Sequence, residues 1–107
     1  SGVAAAWVNF NGTGTIAARD SMNVSSLTDN GTGSYTANFL SNMVNTSYVL
    51  SGHVAASILG QLYSRVGAGD RTTSGVKVLT LYPNNTAGGG GLADYDHIDE
   101  AIHGDLA

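Results

Sequence analysis

The stretch Met22-Asn-Val-Ser-Ser-Leu-Thr-Asp-Asn-Gly-Thr-Gly-Ser-Tyr-Thr-Ala-Asn-Phe39 indicates the fold more directly than any other part of the sequence. Its second half, Ser34 to Phe39, alternates polar and apolar residues with the period of two expected of a half-buried strand. The residues Asp29 to Gly33 are of the kinds that adopt the dihedral angles of a tight turn. The stretch therefore predicts a strand, a turn and a returning strand.

The residues upstream show a similar pattern. Val3 to Phe10 predicts a first strand, and Thr15 to Arg19 predicts the strand that returns from it. Asn11-Gly12 lies between them, and Asn-Gly strongly favours a two-residue hairpin turn. We therefore expect a second hairpin, whose Asn-Gly-Thr-Gly element begins 19 residues before the equivalent element at Asn30.

The residues downstream contain two more strand-like runs. Tyr48 to Ile58 is rich in β-branched and small residues and predicts a long strand with a bulge at Gly52. Val76 to Tyr82 predicts another strand, which ends at Pro83 because proline cannot donate a hydrogen bond to a sheet. Roughly seven strands, about ten residues apart and joined by Gly and Asn turns, are typical of a β-sandwich or jelly roll. The sequence thus predicts a single all-β domain of this kind over residues 1–107.

Four segments are less regular. A helix over Val54 to Tyr63 is an alternative to the strand predicted there. Gly67 to Gly75 predicts a polar loop, and Gly88 to Gly91 predicts a flexible loop because glycine-rich runs do not form core elements. Leu92 to Ala107 contains five of the eight acidic residues and is compatible with a short amphipathic helix or a last strand. The pattern alone does not decide between these two structures.

Composition argues against several classes of function. The chain has no cysteine, which excludes disulfides, a thiolate nucleophile and cysteine-ligated zinc. The net charge is −4 and the four basic residues are scattered, which argues against binding to a nucleic-acid backbone. No apolar run approaches the roughly 18 residues of a membrane span. We therefore expect neither nucleic-acid binding nor membrane insertion, and no cofactor. The start at Ser1, with no secretory signal, indicates a processed chain or a piece of a longer protein.

Two runs resemble a known family of modules. These runs are Ala6-Trp-Val-Asn-Phe-Asn-Gly-Thr-Gly-Thr15 and Arg19-Asp-Ser-Met-Asn-Val-Ser-Ser-Leu-Thr-Asp-Asn-Gly-Thr-Gly-Ser-Tyr-Thr-Ala-Asn-Phe39. Together they resemble a module of bacteriophage virion proteins, commonly found at the C-terminal end of tail fibres, including those of cyanobacterial and marine phages. The resemblance is densest over residues 6 to 39. The Gly88 to Gly91 run and the acidic stretch Asp94 to Glu100 depart from the family pattern.

The resemblance implies a β-sandwich-like module in a homotrimeric appendage on the phage particle. Its partners would be other virion proteins, and its loops would recognise a glycan or protein on the host surface. The closing segment Ala101 to Asp105 resembles the family's last strand, which favours a strand in this region. The resemblance implies no catalytic residues, so we do not expect an enzyme. A capsid decoration or capsid-fibre protein is the alternative, and a carbohydrate-active enzyme, which needs a carboxylate pair in a cleft, is a third.

The acidic stretch near the C-terminal end contains the one dense group of residues with metal-ligand chemistry. Calcium prefers several carboxylate oxygens, and zinc prefers histidine with carboxylate. The spacing matches no known metal-binding motif, and alternation along a strand would divide the residues between two faces. We therefore predict no metal site, and a solvated acidic strand or a polar contact between subunits. The weak candidate ligands are Asp94, Asp96, His97, Asp99 and Glu100.

The aromatic residues are predicted to serve two purposes. Trp7 and the tyrosines have aromatic faces of the kind that stack on sugar rings. Against this, Trp7, Phe10, Tyr35 and Phe39 lie in alternating strands and are expected to fill the core, whereas Tyr63, Tyr82 and Tyr95 flank loops and are candidates for a ligand-binding edge. His53 lies in an apolar run and is expected to be a core or interface residue. Serine, histidine and aspartate are all present, but no Gly-x-Ser-x-Gly element accompanies them, so a hydrolase triad is not predicted.

Overall fold

Apolar and polar side chains alternate along the strands, and the alternation places one side of each inner strand in the core. In the computed structural model, which describes residues 4–55, 63–65, 71–82 and 91–107, every regular element is a strand. The strands are β1 Ala6–Asn11, β2 Ala17–Met22, β3 Val24–Gly31, β4 Ser34–Phe39, β5 Val49–Ala55, β6 Tyr63–Arg65, β7 Gly75–Tyr82, β8 Gly91–Leu92 and β9 His97–His103. Within these described ranges, no helix is long and apolar enough to span a membrane.

The strands form two antiparallel sheets. The first sheet has the order β2-β1-β9-β5, and the second has the order β3-β4-β7-β6, with β8 paired to β7. The chain crosses from the first sheet to the second at Asn23, which has a φ of 56°. The Asn23 amide donates to the carbonyl oxygens of Ala5 and Ser41, and its Oδ1 accepts from the Ser41 backbone N–H at 2.6 Å. This one side chain therefore holds three segments together at the crossing.

The core lies between the two sheets. Ala6, Val8 and Phe10 alternate with half-buried residues along β1, and Tyr35, Ala37 and Phe39 do the same along β4. The Phe10 and Tyr35 rings meet edge to face with centroids 5.2 Å apart, so the contact joins the two sheets. The predicted all-β, sandwich-like fold is confirmed.

The two predicted hairpins differ in their turns. Thr32-Gly33 joins β3 and β4 as a two-residue turn in which Gly33 has a φ of +64°; a turn was predicted over Asp29 to Gly33, but Asp29 to Gly31 belong to β3. By contrast, residues 12–16 separate β1 from β2, so the predicted two-residue turn at Asn11-Gly12 is wrong. Asn11 Oδ1 instead accepts hydrogen bonds from the N–H and hydroxyl of Thr13, which gives the chain a wider turn.

Gly52 does not form a bulge and instead lies opposite a buried carboxylate. The pairing of β5 with β9 runs through Gly52 without a shift in register, so the predicted bulge is wrong. A Cβ atom at this position would lie 2.0 Å from Oε2 of Glu100, which is directly opposite on β9 and only 3% exposed. A side chain at this position would therefore have to displace the buried Glu100 carboxylate.

The end of the chain is a strand. β9 alternates exposed and buried residues from His97 to His103, which decides the alternative left open for Leu92 to Ala107 and agrees with the strand favoured for its closing part. The strand predicted from Tyr48 is present as β5 up to Ala55. The rest of the region in which a helix was an alternative lies outside the described residues, except for β6. Residues 67–70 of the loop predicted over Gly67 to Gly75 also lie outside them, as do residues 88–90 of the loop predicted over Gly88 to Gly91.

A hydrogen-bond network closes one end of the sandwich. The Tyr35 hydroxyl oxygen lies 2.6 Å from Oδ1 of Asp94 and 2.8 Å from the carbonyl oxygen of Gly12, so two acceptors share one hydroxyl hydrogen. Asp94 Oδ1 also accepts from the Gly33 N–H at 2.7 Å. Burial, followed by the hydrogen bond to Asp94 and the charge of that carboxylate, raises the pKa of Tyr35 far above its ordinary value of 10.0.

We expect the raised pKa of Tyr35 to make the protein less stable at alkaline pH. Above the ordinary tyrosine pKa of about 10, the unfolded chain releases this proton while the folded chain keeps it, so the free energy of unfolding falls as the pH rises. Urea unfolding at a series of pH values from 9 to 12 measures this slope. In Tyr35→Phe the fall should be shallower by up to about 1.4 kcal/mol per pH unit. An equal slope in both proteins would contradict the assignment.

Candidate functional site

The outer face of the first sheet is the surface of the described chain on which polar and aromatic side chains converge. Residues paired across antiparallel strands point to the same face, so the register defines its members. We call it the open face, and it includes Trp7, Asn9, Asp20, Met22, Val49, Ser51, His53, His97, Asp99, Ala101 and His103. These residues are exposed or partly buried, whereas those between them on β1 and β9 point into the core.

A polar row crosses all four strands of this sheet. Asn9 on β1 pairs with Asp20 on β2 and with Asp99 on β9, and Asp99 pairs in turn with His53 on β5. The Asn9 amide donates to Oδ1 of Asp99 at 3.1 Å. Adjacent strands lie about 4.8 Å apart, so the row presents amide, carboxylate and imidazole groups over roughly 14 Å.

Arg19, on β2, donates a hydrogen bond to the Asn9 side chain of this row. It lies where the pairing of β1 with β2 shifts register between Asn9 and Phe10, and the shift leaves Arg19 unpaired in the ladder. Its Nη1 donates to Oδ1 of Asn9 at 3.4 Å, and its Nη2 donates to the carbonyl oxygen of Asp96. The Asn9 amide is therefore held on both sides, with its oxygen toward Arg19 and its nitrogen toward Asp99. This fixes the orientation of the amide before any ligand arrives.

Trp7 lies in the next row of the open face. It pairs with Met22 on β2 and with Ala101 on β9, and Ala101 pairs with Ser51 on β5. Ala101 and Ser51 are small, and a shallow depression of about 380 Å³ lies over β1, β9 and β5 at this point. Its lining includes Trp7 and three members of the polar row, Asn9, His53 and Asp99. An aromatic ring and fixed hydrogen-bonding groups thus share one depression.

Trp7 and His53 lie on the open face and not in the core. Trp7 was expected in the core with Phe10, Tyr35 and Phe39, but it is partly exposed on the open face while the other three are buried. The alternation of β1 explains the difference, because Trp7 is out of phase with Phe10. His53 was expected to be a core or interface residue; it is exposed in the single chain, so it is not a core residue, and its place in an interface stays a prediction.

The predicted tyrosine edge does not form around Tyr95. Tyr95 is only 9% exposed, packs in the core and donates its hydroxyl hydrogen to the carbonyl oxygen of Leu81 at 2.7 Å. Its place at a ligand-binding edge is therefore wrong, because the apolar ring is buried and the hydroxyl has an internal partner. Tyr63 lies in β6 and Tyr82 ends β7, but their side chains lie outside the described part of the structure.

The weak metal candidates are separated by the fold. The Asp94 carboxylate bonds Tyr35 and Gly33, whereas Glu100 is buried on the core face. Asp99 lies on the open face, and Nδ1 of His97 lies 3.5 Å from Oδ1 of Asp96. Among the residues that the structure describes, no three acidic or histidine side chains are grouped to hold a metal ion.

A second notable surface lies at one end of the sandwich. Leu40 is 74% exposed, Leu106 is 49% exposed and Met22 is 40% exposed. All three line one groove with a volume of about 530 Å³, together with Ala4, Ala5, Asn23, Gly104 and Asp105. Val44 is also exposed, and its N–H donates to the carbonyl oxygen of Asp105 beside the groove. We call this surface the apolar end.

Comparison with known proteins does not assign the chain to a family. No family model, curated protein or solved structure matches it significantly. The resemblance of residues 6 to 39 to phage virion modules therefore remains a prediction.

Proposed function

We propose that this chain is a structural module of a bacteriophage virion, of the tail-fibre type, which assembles as a homotrimer and binds a receptor on the host surface. The apolar end is the observation that carries the proposal. Large apolar side chains exposed together are costly in water, and such a patch marks a contact between proteins. In the trimer, the apolar end of each subunit contacts the other two copies of the chain.

The edge strand β3 supports the same proposal. It lies at the border of the second sheet, and Asp29 is the one charged residue in its eight-residue span from Val24 to Gly31. Monomeric proteins commonly protect such edges with lysine, proline or inward-pointing charges, because an unprotected edge pairs with other chains. A module that meets its own copies has no need of this protection.

We expect Leu40→Asp to convert the trimer to single chains. A carboxylate in place of a side chain that is 74% exposed leaves the fold intact but would have to be desolvated in the contact between subunits. The measurement is the mass in solution by light scattering, with circular dichroism to confirm that the variant is folded.

The matched control is Leu92→Asp. Leu92 is 44% exposed and lies in β8, next to the Gly33 turn at the opposite end of the sandwich, so the trimer should survive this change. A stable monomer of the unmodified chain would contradict the assembly part of the proposal. A trimer in Leu40→Asp would show that the apolar end is not the contact.

A further inference from the structure

We propose that the depression on the open face, centred on Trp7, Asn9 and Asp99, binds a neutral sugar. This inference deepens the receptor-binding part of the proposed function and rests on it, because it names the class of ligand recognised on the host surface. Two kinds of group recognise sugars: an aromatic face that packs on the C–H side of the ring, and fixed polar groups that bond its hydroxyls.

The spacing of the two rows suits such a ligand. Trp7 and Asn9 lie two residues apart on the same face of β1, so about 7 Å separates the aromatic row from the polar row. A pyranose ring packed on the indole therefore places its hydroxyl groups beside Asn9 and Asp99. The small residues Ala101 and Ser51 leave the space across β9 and β5 free for the ring.

The polar groups are already in position. The Asn9 amide is held between Arg19 and Asp99, so sugar binding does not have to order it. Binding to groups that are fixed in advance loses less conformational entropy. Asp99 still has acceptor capacity for sugar hydroxyls, since a carboxylate offers about four lone-pair sites.

Charge and size narrow the ligand class. Asp20 and Asp99 flank Asn9, and the guanidinium of Arg19 already bonds Asn9 and the Asp96 carbonyl oxygen. An acidic sugar would meet the Asp99 carboxylate in the depression, with the Asp20 carboxylate on the adjacent strand, whereas a neutral sugar would accept and donate hydrogen bonds without repulsion. The volume of about 380 Å³ is near the lower end for ligand sites, which indicates one or two sugar rings.

The experiment uses the fluorescence of Trp7, which is the one tryptophan in the chain. The whole chain is titrated with methyl α-glucoside, methyl α-mannoside, N-acetylglucosamine, lactose and maltose, and with N-acetylneuraminic acid as the acidic probe. We expect a saturable change in emission with at least one neutral sugar and none with the acidic sugar. The proposal is overturned if no neutral sugar changes the emission up to its solubility limit, or if the acidic sugar alone does.

Three variants locate the site by calorimetry with the sugar that binds. Asp99→Ala and Trp7→Ala should each weaken binding roughly tenfold or more, because each removes one of the two recognition elements. His103→Ala is the matched control, since His103 is exposed on the open face outside the depression, and its binding should be unchanged. Unchanged binding in both Asp99→Ala and Trp7→Ala overturns the proposal.

The two proposals fail in different ways. A chain that is trimeric by light scattering but binds none of the neutral sugars overturns the sugar site and leaves the assembly part standing. A monomer that binds a sugar at Trp7 supports the sugar site and contradicts the assembly part.

Discussion

Gly33→Ala is expected to lower the free energy of unfolding by about 3–5 kcal/mol, among the largest effects of any single methyl group in this chain. Gly33 has a φ of +64°, in the left-handed region that alanine adopts at a cost. A Cβ atom there would also lie 2.6 Å from the carbonyl oxygen of Thr80 and 2.7 Å from the backbone nitrogen of Ala93. These two backbone atoms bond each other, since the Ala93 N–H donates to the Thr80 carbonyl oxygen at 3.0 Å, so moving either one apart from the other breaks that hydrogen bond. Urea unfolding measures the change.

Gly14→Ala separates the two causes. Gly14 has nearly the same backbone conformation, with a φ of +59°, but nothing lies within 4 Å of its added Cβ atom. We expect this variant to lose only about 1 kcal/mol, from the backbone conformation alone. Equal losses in the two variants would mean that the close approach of Thr80 and Ala93 to Gly33 has no energetic weight.

Gly12→Ala is expected to cost about 2–4 kcal/mol for a purely steric reason. Its Cβ atom would lie 2.5 Å from the Tyr35 hydroxyl oxygen and 2.6 Å from Cδ1 of Ile98. Both side chains are fully buried, so the added methyl displaces the Tyr35 ring and weakens its hydrogen bonds to Asp94 and to the Gly12 carbonyl oxygen. The free energy of unfolding from urea denaturation is again the measurement.

A double-mutant cycle tests this mechanism. Tyr35→Phe removes the hydroxyl oxygen that the new methyl group would meet, at a cost of about 1–3 kcal/mol for the lost hydrogen bonds. In the presence of Tyr35→Phe, Gly12→Ala should therefore cost about 1 kcal/mol less than it does alone. Strict additivity of the two changes would contradict a direct contact between this residue and the tyrosine hydroxyl.

These glycines show how far turn chemistry could be predicted. In the Asn-Gly-Thr-Gly element at Asn30, the first two residues end β3 and Thr32-Gly33 forms the tight turn, in which Gly33 has the positive φ that the composition predicts. In the equivalent element at Asn11 the last glycine, Gly14, also has a positive φ, but the turn there spans residues 12–16, and Gly12 lies against the Tyr35 side chain. Tyr35 lies 23 positions from Gly12 along the chain, so local preference contains no information about this contact.

The open face could likewise be predicted only in part from the sequence. The period-two pattern of Ala6 to Asn11 puts Trp7 and Phe10 on opposite faces of β1, so a buried Phe10 implies an outward-facing Trp7. The prediction that both are buried relied on their aromatic character instead. The polar row, however, joins Asp20, Asn9, Asp99 and His53 from four strands. Their meeting depends on the order β2-β1-β9-β5, in which the last strand of the chain lies beside the first.

The all-β class, most of the strands and the turn at Gly33 could be predicted from the sequence, because alternation and turn chemistry act between near neighbours along the chain. The pairing and register of the strands could be read only from the folded chain. The polar row, the groove at the apolar end and the close packing of Gly12 and Gly52 against buried side chains all follow from that pairing. The physical reason is that pairing is settled by the shared core between the sheets, to which residues distant in the chain contribute together.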